Sequence, residues 1–307
     1  PFAGNGILIT EFAHAEELIG NQAINNRPGG IAVFEDSSAK IVDSNVIRGS
    51  KQNGLVVQKR SMVDTVSGNQ VTKSGLAGIF VENNSFVRTI TDNQVNSNGT
   101  CADCSSAKGG LAVLGNSSVG TVTNNSFDRN SLGMQIANSA SAESITGSSF
   151  DNNESGGVMV REASFITDFY DNTIHTNGGQ ASIVFDDSSG LIRQCSITSN
   201  EGTGVSLFSS ANLTIQDSVI SDAPLEGIAV YDGSTLNLTS SDVLNNANSG
   251  ILASGEMTSV VLEASKVNGN MDYGLNAQNG ATITCQGANT LSGNTLGATL
   301  GNVQGCN

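Results

Sequence analysis

Tryptophan is absent from the 307-residue chain, and histidine (two), tyrosine (three) and proline (three) are scarce. Basic residues are few as well: 13 Lys and Arg stand against 28 Asp and Glu, a formal net charge of −15. So acidic a surface repels phosphate backbones and excludes nucleic acid as a partner. Charged residues nevertheless make up only 13% of the chain, too few for the charge-driven class of disorder. Scarce proline beside abundant β-branched residues points to strands joined by tight turns. No apolar run approaches the roughly 18 residues of a membrane span. No basic-then-apolar signal-peptide pattern opens the chain, which starts abruptly at Pro1 and is expected to be a mature or trimmed piece.

What is present is a repeat. A small residue followed by an apolar one recurs from Gly6-Ile7, Gly30-Ile31 and Gly54-Leu55 through Ser182-Ile183 to Gly274-Leu275 and Gly297-Ala298. Eleven of the twelve intervals lie between 22 and 25 residues; the remaining one is 32. After each small residue the pattern alternates with period two, as a strand does. Ile31 and Val33 would face inward, Ala32 and Phe34 outward. Later in each repeat stands a polar corner column, among it Asn21, Asn45, Asn69, Asn172, Cys195, Ser218 and Asn289. Three residues before it is an apolar column broken only by Gln286, and two residues after it a second apolar column. A further Asn column follows five residues after the corner, with Asn at nine of twelve positions.

One repeat is thus three short strands separated by turns. Units of this kind stack like on like in a parallel coil, about 4.8 Å per turn. Asn suits the corners because it tolerates left-handed backbone and can hydrogen-bond along a ladder. On its G-[IVL]-x-V and N-x-[VIF]-x-x-N columns, over residues 4–300, the chain resembles the right-handed parallel β-helix family, the pectate-lyase-like superfamily. The resemblance implies an all-β, right-handed, single-stranded parallel β-helix of about 12–13 coils with three short strands each. No linker interrupts the period, so one domain over 1–307 is expected, with a loop insertion of about eight residues near 98–108 and a C-terminal turn over 297–307. Lyases, hydrolases, epimerases, adhesins, tailspikes and inert scaffolds share such a fold, so function has to come from a site.

Cys195 falls in the polar corner column and reads as a small buried side chain. Cys101 and Cys104 lie in the insertion; a lone C-x-x-C lacks four zinc ligands and reads as a small disulfide loop. Cys285 and Cys306 are 21 residues apart, close to one coil, and could stack within disulfide reach. Disulfides imply an oxidising setting: extracellular, cell-surface or periplasmic. No segment before Gly6 can cap the first coil, so a longer chain, or end-to-end or side-by-side self-association, is expected.

The outward column after the repeat motif contains Glu82, Arg161, Asp186, Phe208 and Tyr231, and the next column Glu162 and Asp187. Arg161, Glu162, Asp186 and Asp187 therefore cluster across two coils. They read as a ligand strip for a polysaccharide or surface protein, with Tyr231 as a stacking platform. Glu162 and Asp187 are candidate Ca²⁺ ligands; an enzyme would use Arg161, Asp186 and Asp187, with a carboxylate pair as acid and base. The bland alternative is an Arg161–Asp186 surface ion pair beside solvated acids. Set against the resembling families, the chain has Asp186-Asp187 but no G-H-G, no R-x-K of polygalacturonase-like hydrolases and no D-P-H-D of alginate epimerases. The expectation is a non-catalytic binding or scaffold segment, with a polysaccharide lyase, glycoside hydrolase or uronate epimerase, or a structural fibre, as alternatives.

Overall fold

The computed structural model describes residues 4–101 and 108–306. Among them every regular element is a strand, and the fold is an all-β, right-handed parallel solenoid of about 12 turns with three short strands per turn. Its contacts divide into two compact units, Pro1–Glu154 with Ser164–Thr167, and Ser155–Ala163 with Asp168–Asn307. In the first unit the strands after the repeat glycine form sheet A in register Ile7, Ile31, Leu55, Ile79, Leu111, Met134. In the second they run Val158, Ile183, Val205, Ile228, Ile251, Leu275, Thr299. Sheet B stacks the apolar column before the corner, as in Leu18, Val42, Val66 and Ile90. Sheet C stacks the one after it, as in Ile174, Ile197, Ile220, Val243 and Val267. Most of these inward side chains have no exposed surface.

The recurring glycine has a steric cause. A Cβ on Gly227 would stand 2.5 Å from Val243 Cγ1 and 2.8 Å from the carbonyl oxygen of Gly250 in the next coil. Sheet A and sheet C approach too closely at that corner for any side chain but the smallest. Ser182 fills the position once, and its buried hydroxyl finds no partner.

The corners differ from expectation in one respect. The ladder asparagines do not themselves adopt left-handed backbone; the residue before each does. Ser44, Gly68, Asp92 and Asn124 have φ between 54° and 60°, and Asn45, Asn69, Asn93 and Asn125 follow them. One left-handed residue turns the chain, and the next side chain then points along the coil axis into the interior. The third corner, after sheet A, takes two consecutive left-handed residues, as in Glu35-Asp36, Lys59-Arg60 and Glu162-Ala163.

The last coil also departs from the sequence columns. Tyr273, not Gly274, pairs with Gly297, so Leu275 faces Thr299. Leu262 pairs with Cys285, not Gln286, because one extra residue separates Cys285 from the corner Asn289. The apolar column is therefore unbroken: Cys285 is the inward side chain, 7% exposed. It is bonded to Cys306, with Cα atoms 5.0 Å apart. Cys195 is free and buried. Cys101 is disulfide-bonded, and its expected partner Cys104 lies outside the described residues.

Candidate functional site

Period-two alternation sends two columns of sheet A outward. In the second unit these columns bound a groove of about 750 Å³. Met159, Val184 and Ser206 supply its floor, and Asp186, Phe208 and Tyr231 one wall. Leu225 and Glu226 stand on the residues leading into the strand, opposite that wall. The Phe208 and Tyr231 rings stack with centroids 5.3 Å apart and an interplanar angle of 13°. Stacking on successive rungs follows from in-register pairing, since Asp186 faces Phe208 and Leu207 faces Val230.

The polar groups of this groove are acidic or neutral. No Lys, Arg or His is among the described residues lining it. Glu226 is held by Asn248 Nδ2, which donates at 3.1 Å, and by Thr203 Oγ1 at 3.5 Å. Asp186 is half-buried, and no described side chain hydrogen-bonds or pairs with its carboxylate. Ser206 is 4% exposed and lines the groove floor, where no described side chain or backbone group bonds its hydroxyl. Burial first, then the negative charges of Glu226 and Asp232, raises the Tyr231 phenol above its ordinary range and keeps it neutral.

Of the residues singled out from sequence, Asp186, Phe208 and Tyr231 come together in the groove. Arg161 is the register partner of Asp186 but is not among the groove's lining residues. Its Nε lies 3.6 Å from Glu162 Oε1, so the ion pair that the bland alternative gave to Asp186 is made with Glu162. Glu162 and Asp187 sit beyond the strand ends, at left-handed corner positions with φ of 59° and 45°, and both are exposed. Glu82 belongs to the first unit, where it is half-buried and accepts hydrogen bonds from Gln58 Nε2 and Asn83 Nδ2. Glu226 and Ser206 escaped sequence reading. Glu226 occupies the position just before the repeat glycine, a column in which Gly29, Ala77 and Ala181 also stand. That column advertises no chemistry until the groove is seen.

Metal ligation finds little support. Among the described residues no three His, Cys, Asp or Glu side chains group in a way that could hold an ion. Glu162 and Asp187 alone are too few for calcium, which takes six to eight oxygens.

Two family models match the chain: "Right handed beta helix region" over residues 109–270 and "Periplasmic copper-binding protein (NosD)" over residues 3–184. Among solved structures, the periplasmic alginate epimerase AlgG D317A mutant is 13% identical with a TM-score of 0.69, covering 89% of this chain and 75% of that one. The Azotobacter vinelandii mannuronan C-5 epimerase AlgE4 A-module is 13% identical with a TM-score of 0.50, covering 99% of this chain and 91% of that one. At such identity these likenesses concern the fold. No curated protein matches the chain.

The second family description names copper. Copper favours imidazole, thiolate and thioether ligands. His14 hydrogen-bonds Ser38 and Glu16, and it does not gather other ligands about it. The Cys195 thiol is buried, donates to the carbonyls of Phe169 and Arg193, and is pushed up to about 11, chiefly by burial. The described residues therefore do not fit a copper centre, and no chemistry is derived through one. Each family match spans more than half of the chain, and the protein belongs to the right-handed β-helix and NosD families.

Proposed function

We propose that the protein is an extracytoplasmic, non-catalytic glycan-binding β-helix whose ligand lies in the sheet A groove of the second unit. The observation that carries this reading is the composition of the groove. A stacked aromatic pair and an unpartnered carboxylate flank a floor of Met159 and Val184 that carries the Ser206 hydroxyl. Sugars present C–H faces to aromatic rings and hydroxyls to carboxylates, so both halves of such a ligand are served. The Cys285–Cys306 disulfide and the periplasmic family description support the compartment.

The fold likeness to alginate epimerases favours a second reading, a polyuronate-modifying enzyme. Electrostatics argue against it: Asp186 and Glu226 would repel a uronate, and no basic side chain lines the groove to hold its carboxylate.

A glycan array run with and without Ca²⁺ tests the proposal, using the native chain, Tyr231→Ala and Asp186→Asn. Binding to defined glycans that drops at least about tenfold in both variants supports it. Unchanged binding in the variants returns the groove to a solvated surface. A rise at 235 nm on incubation with polyuronate, or conversion at C5 without it, establishes the enzyme instead.

A further inference from the structure

The first unit carries its own recess on the outer face of sheet A, of about 260 Å³. Its origin lies in the column just before the repeat glycine, which reads Asn5, Gly29, Asn53 on three successive coils. Gly29 leaves a gap between its two asparagine neighbours; a Cβ there would stand 2.9 Å from Asn5 Oδ1 and 3.2 Å from the backbone carbonyl oxygen of Asn53. Both asparagine oxygens are committed. Asn5 Oδ1 accepts from Gly29 N–H and Asn53 Oδ1 from Ala77 N–H, each at 2.9 Å. These bonds fix which end of each amide faces outward and leave the Nδ2 groups as the free donors. Asn53 is 9% exposed and lines the recess, yet its Nδ2 meets no acceptor among the described residues.

The facing wall supplies the complementary groups. Phe34 and Gln58 are register partners. Gln58 donates its Nε2 to Glu82, which leaves Oε1 as an acceptor. The Lys59 ammonium sits 4.4 Å from the Phe34 ring centroid and holds that ring in place. Leu8, Ala32 and Val56, paired rung to rung, make an apolar floor. No charged side chain is among the lining residues.

We propose that this recess is a second saccharide site, separate from the groove of the other unit, for an uncharged hexose residue. An amide donor and an amide acceptor on opposite walls match neighbouring hydroxyls. The floor and the Phe34 ring take the C–H face of the sugar. The Lys59 ammonium beside Phe34 is already paired with Glu35 at 3.0 Å, so a uronate finds no free cation for its carboxylate, and no lining carboxylate meets the ammonium of an amino sugar.

The test follows backbone amide shifts of the full chain during titration with D-glucose, D-mannose, D-galactose, D-glucuronate and D-glucosamine. At least one neutral hexose is expected to bind in the millimolar range, moving Gly29, Asn53 and Gln58. Asn53→Asp keeps the oxygen that caps Ala77 N–H but removes the donor; Phe34→Ala removes the ring. Each is expected to weaken binding about tenfold without changing the melting temperature greatly, whereas Tyr231→Ala leaves it unaltered. The proposal is overturned if no neutral hexose moves these amides up to about 100 mM, if both variants bind as the native chain does, or if glucuronate binds equally well. Because Tyr231→Ala touches only the other groove, failure here and failure of the proposed function are distinguishable.

Discussion

The two units solve the same corner with different side chains. In the first, asparagine answers asparagine: Asn45 and Asn69 each donate both backbone N–H and side-chain Nδ2 to the next Oδ1, at 2.9 Å. The Nδ2 of Asn69 also reaches back to the Val42 carbonyl. In the second unit the column continues as Cys195, Ser218, Ser241 and Ser265. Each accepts the preceding backbone N–H, while Ser218, Ser241 and Ser265 turn their hydroxyl protons to the carbonyl two residues earlier in the same coil. An amide has donors enough to link side chain to side chain; a hydroxyl or thiol has one proton and spends it locally. At this corner unit one therefore carries a continuous ladder of buried dipoles and unit two, over Ser218 to Ser265, separately closed turns; unit two keeps its linked amides at the other Asn column, Asn246 to Asn270 to Asn294.

That contrast fixes the largest expected effect. Asn69→Ala leaves the Asn45 N–H and Nδ2 without their acceptor in a fully buried place. It also strips donors from the Val42 carbonyl and Asn93 Oδ1. With about 1–3 kcal/mol for each buried group left unsatisfied, a loss of roughly 4 kcal/mol is expected in urea unfolding. Ser241→Ala orphans only the Ser218 N–H and one carbonyl lone pair and should cost about 2 kcal/mol. Equal losses in the two variants would break the distinction between a linked ladder and closed corners.

Cys195 sharpens it, because it is the one rung that titrates. Its folded-state pKa of about 11 lies above that of an exposed thiol, so the folded chain holds the proton longer than the unfolded chain does. The sign is then fixed: stability contributed by the neutral thiol is complete below about pH 8.5 and is lost as pH rises toward 11. A fall of roughly 3 kcal/mol over that window is expected. Cys195→Ser, which keeps a corner hydroxyl like its neighbours Ser218 and Ser241, should flatten the curve. An unchanged decline in that variant would place the titrating group elsewhere.

Much of this was legible beforehand, for physical reasons that also explain the rest. Spacing near 23 residues, a glycine before each inward strand and asparagines at buried corners leave few ways to stack a chain, so the coil and its registers could be read directly. Single-residue slips could not: the extra residue before Asn289 changes no composition, yet it moves Cys285 into the column assigned to Gln286. The groove was half visible. Asp186, Phe208 and Tyr231 follow from strand alternation, whereas Glu226 enters from the residue before the strand, where alternation gives no direction. Glu162 and Asp187 stand one residue beyond their strands, in the left-handed corner, where strand alternation gives no direction.

The smallest effect is expected at the outer corner, where unit one again links its rungs. Arg60 donates to both oxygens of Asp36 at 2.5 and 2.7 Å, and Lys59 to Glu35 at 3.0 Å. The Arg60 guanidinium holds the Asp36 carboxyl below its usual range, and Lys59 and Thr10 lower that of Glu35. Lowered carboxyl pKa values mean stability present at neutral pH and lost only as pH falls through the acid range. Here the geometry is good but water is everywhere: Arg60 is 65% exposed. Screening and side-chain entropy cancel most of the attraction in such pairs. Arg60→Ala is thus expected to lower the melting temperature by no more than about 1 °C at low salt, and not at all near 1 M salt. A larger, salt-resistant loss would show that charged rungs at an exposed corner carry weight comparable to the buried amide ladder, and the contrast drawn between corners would then fail.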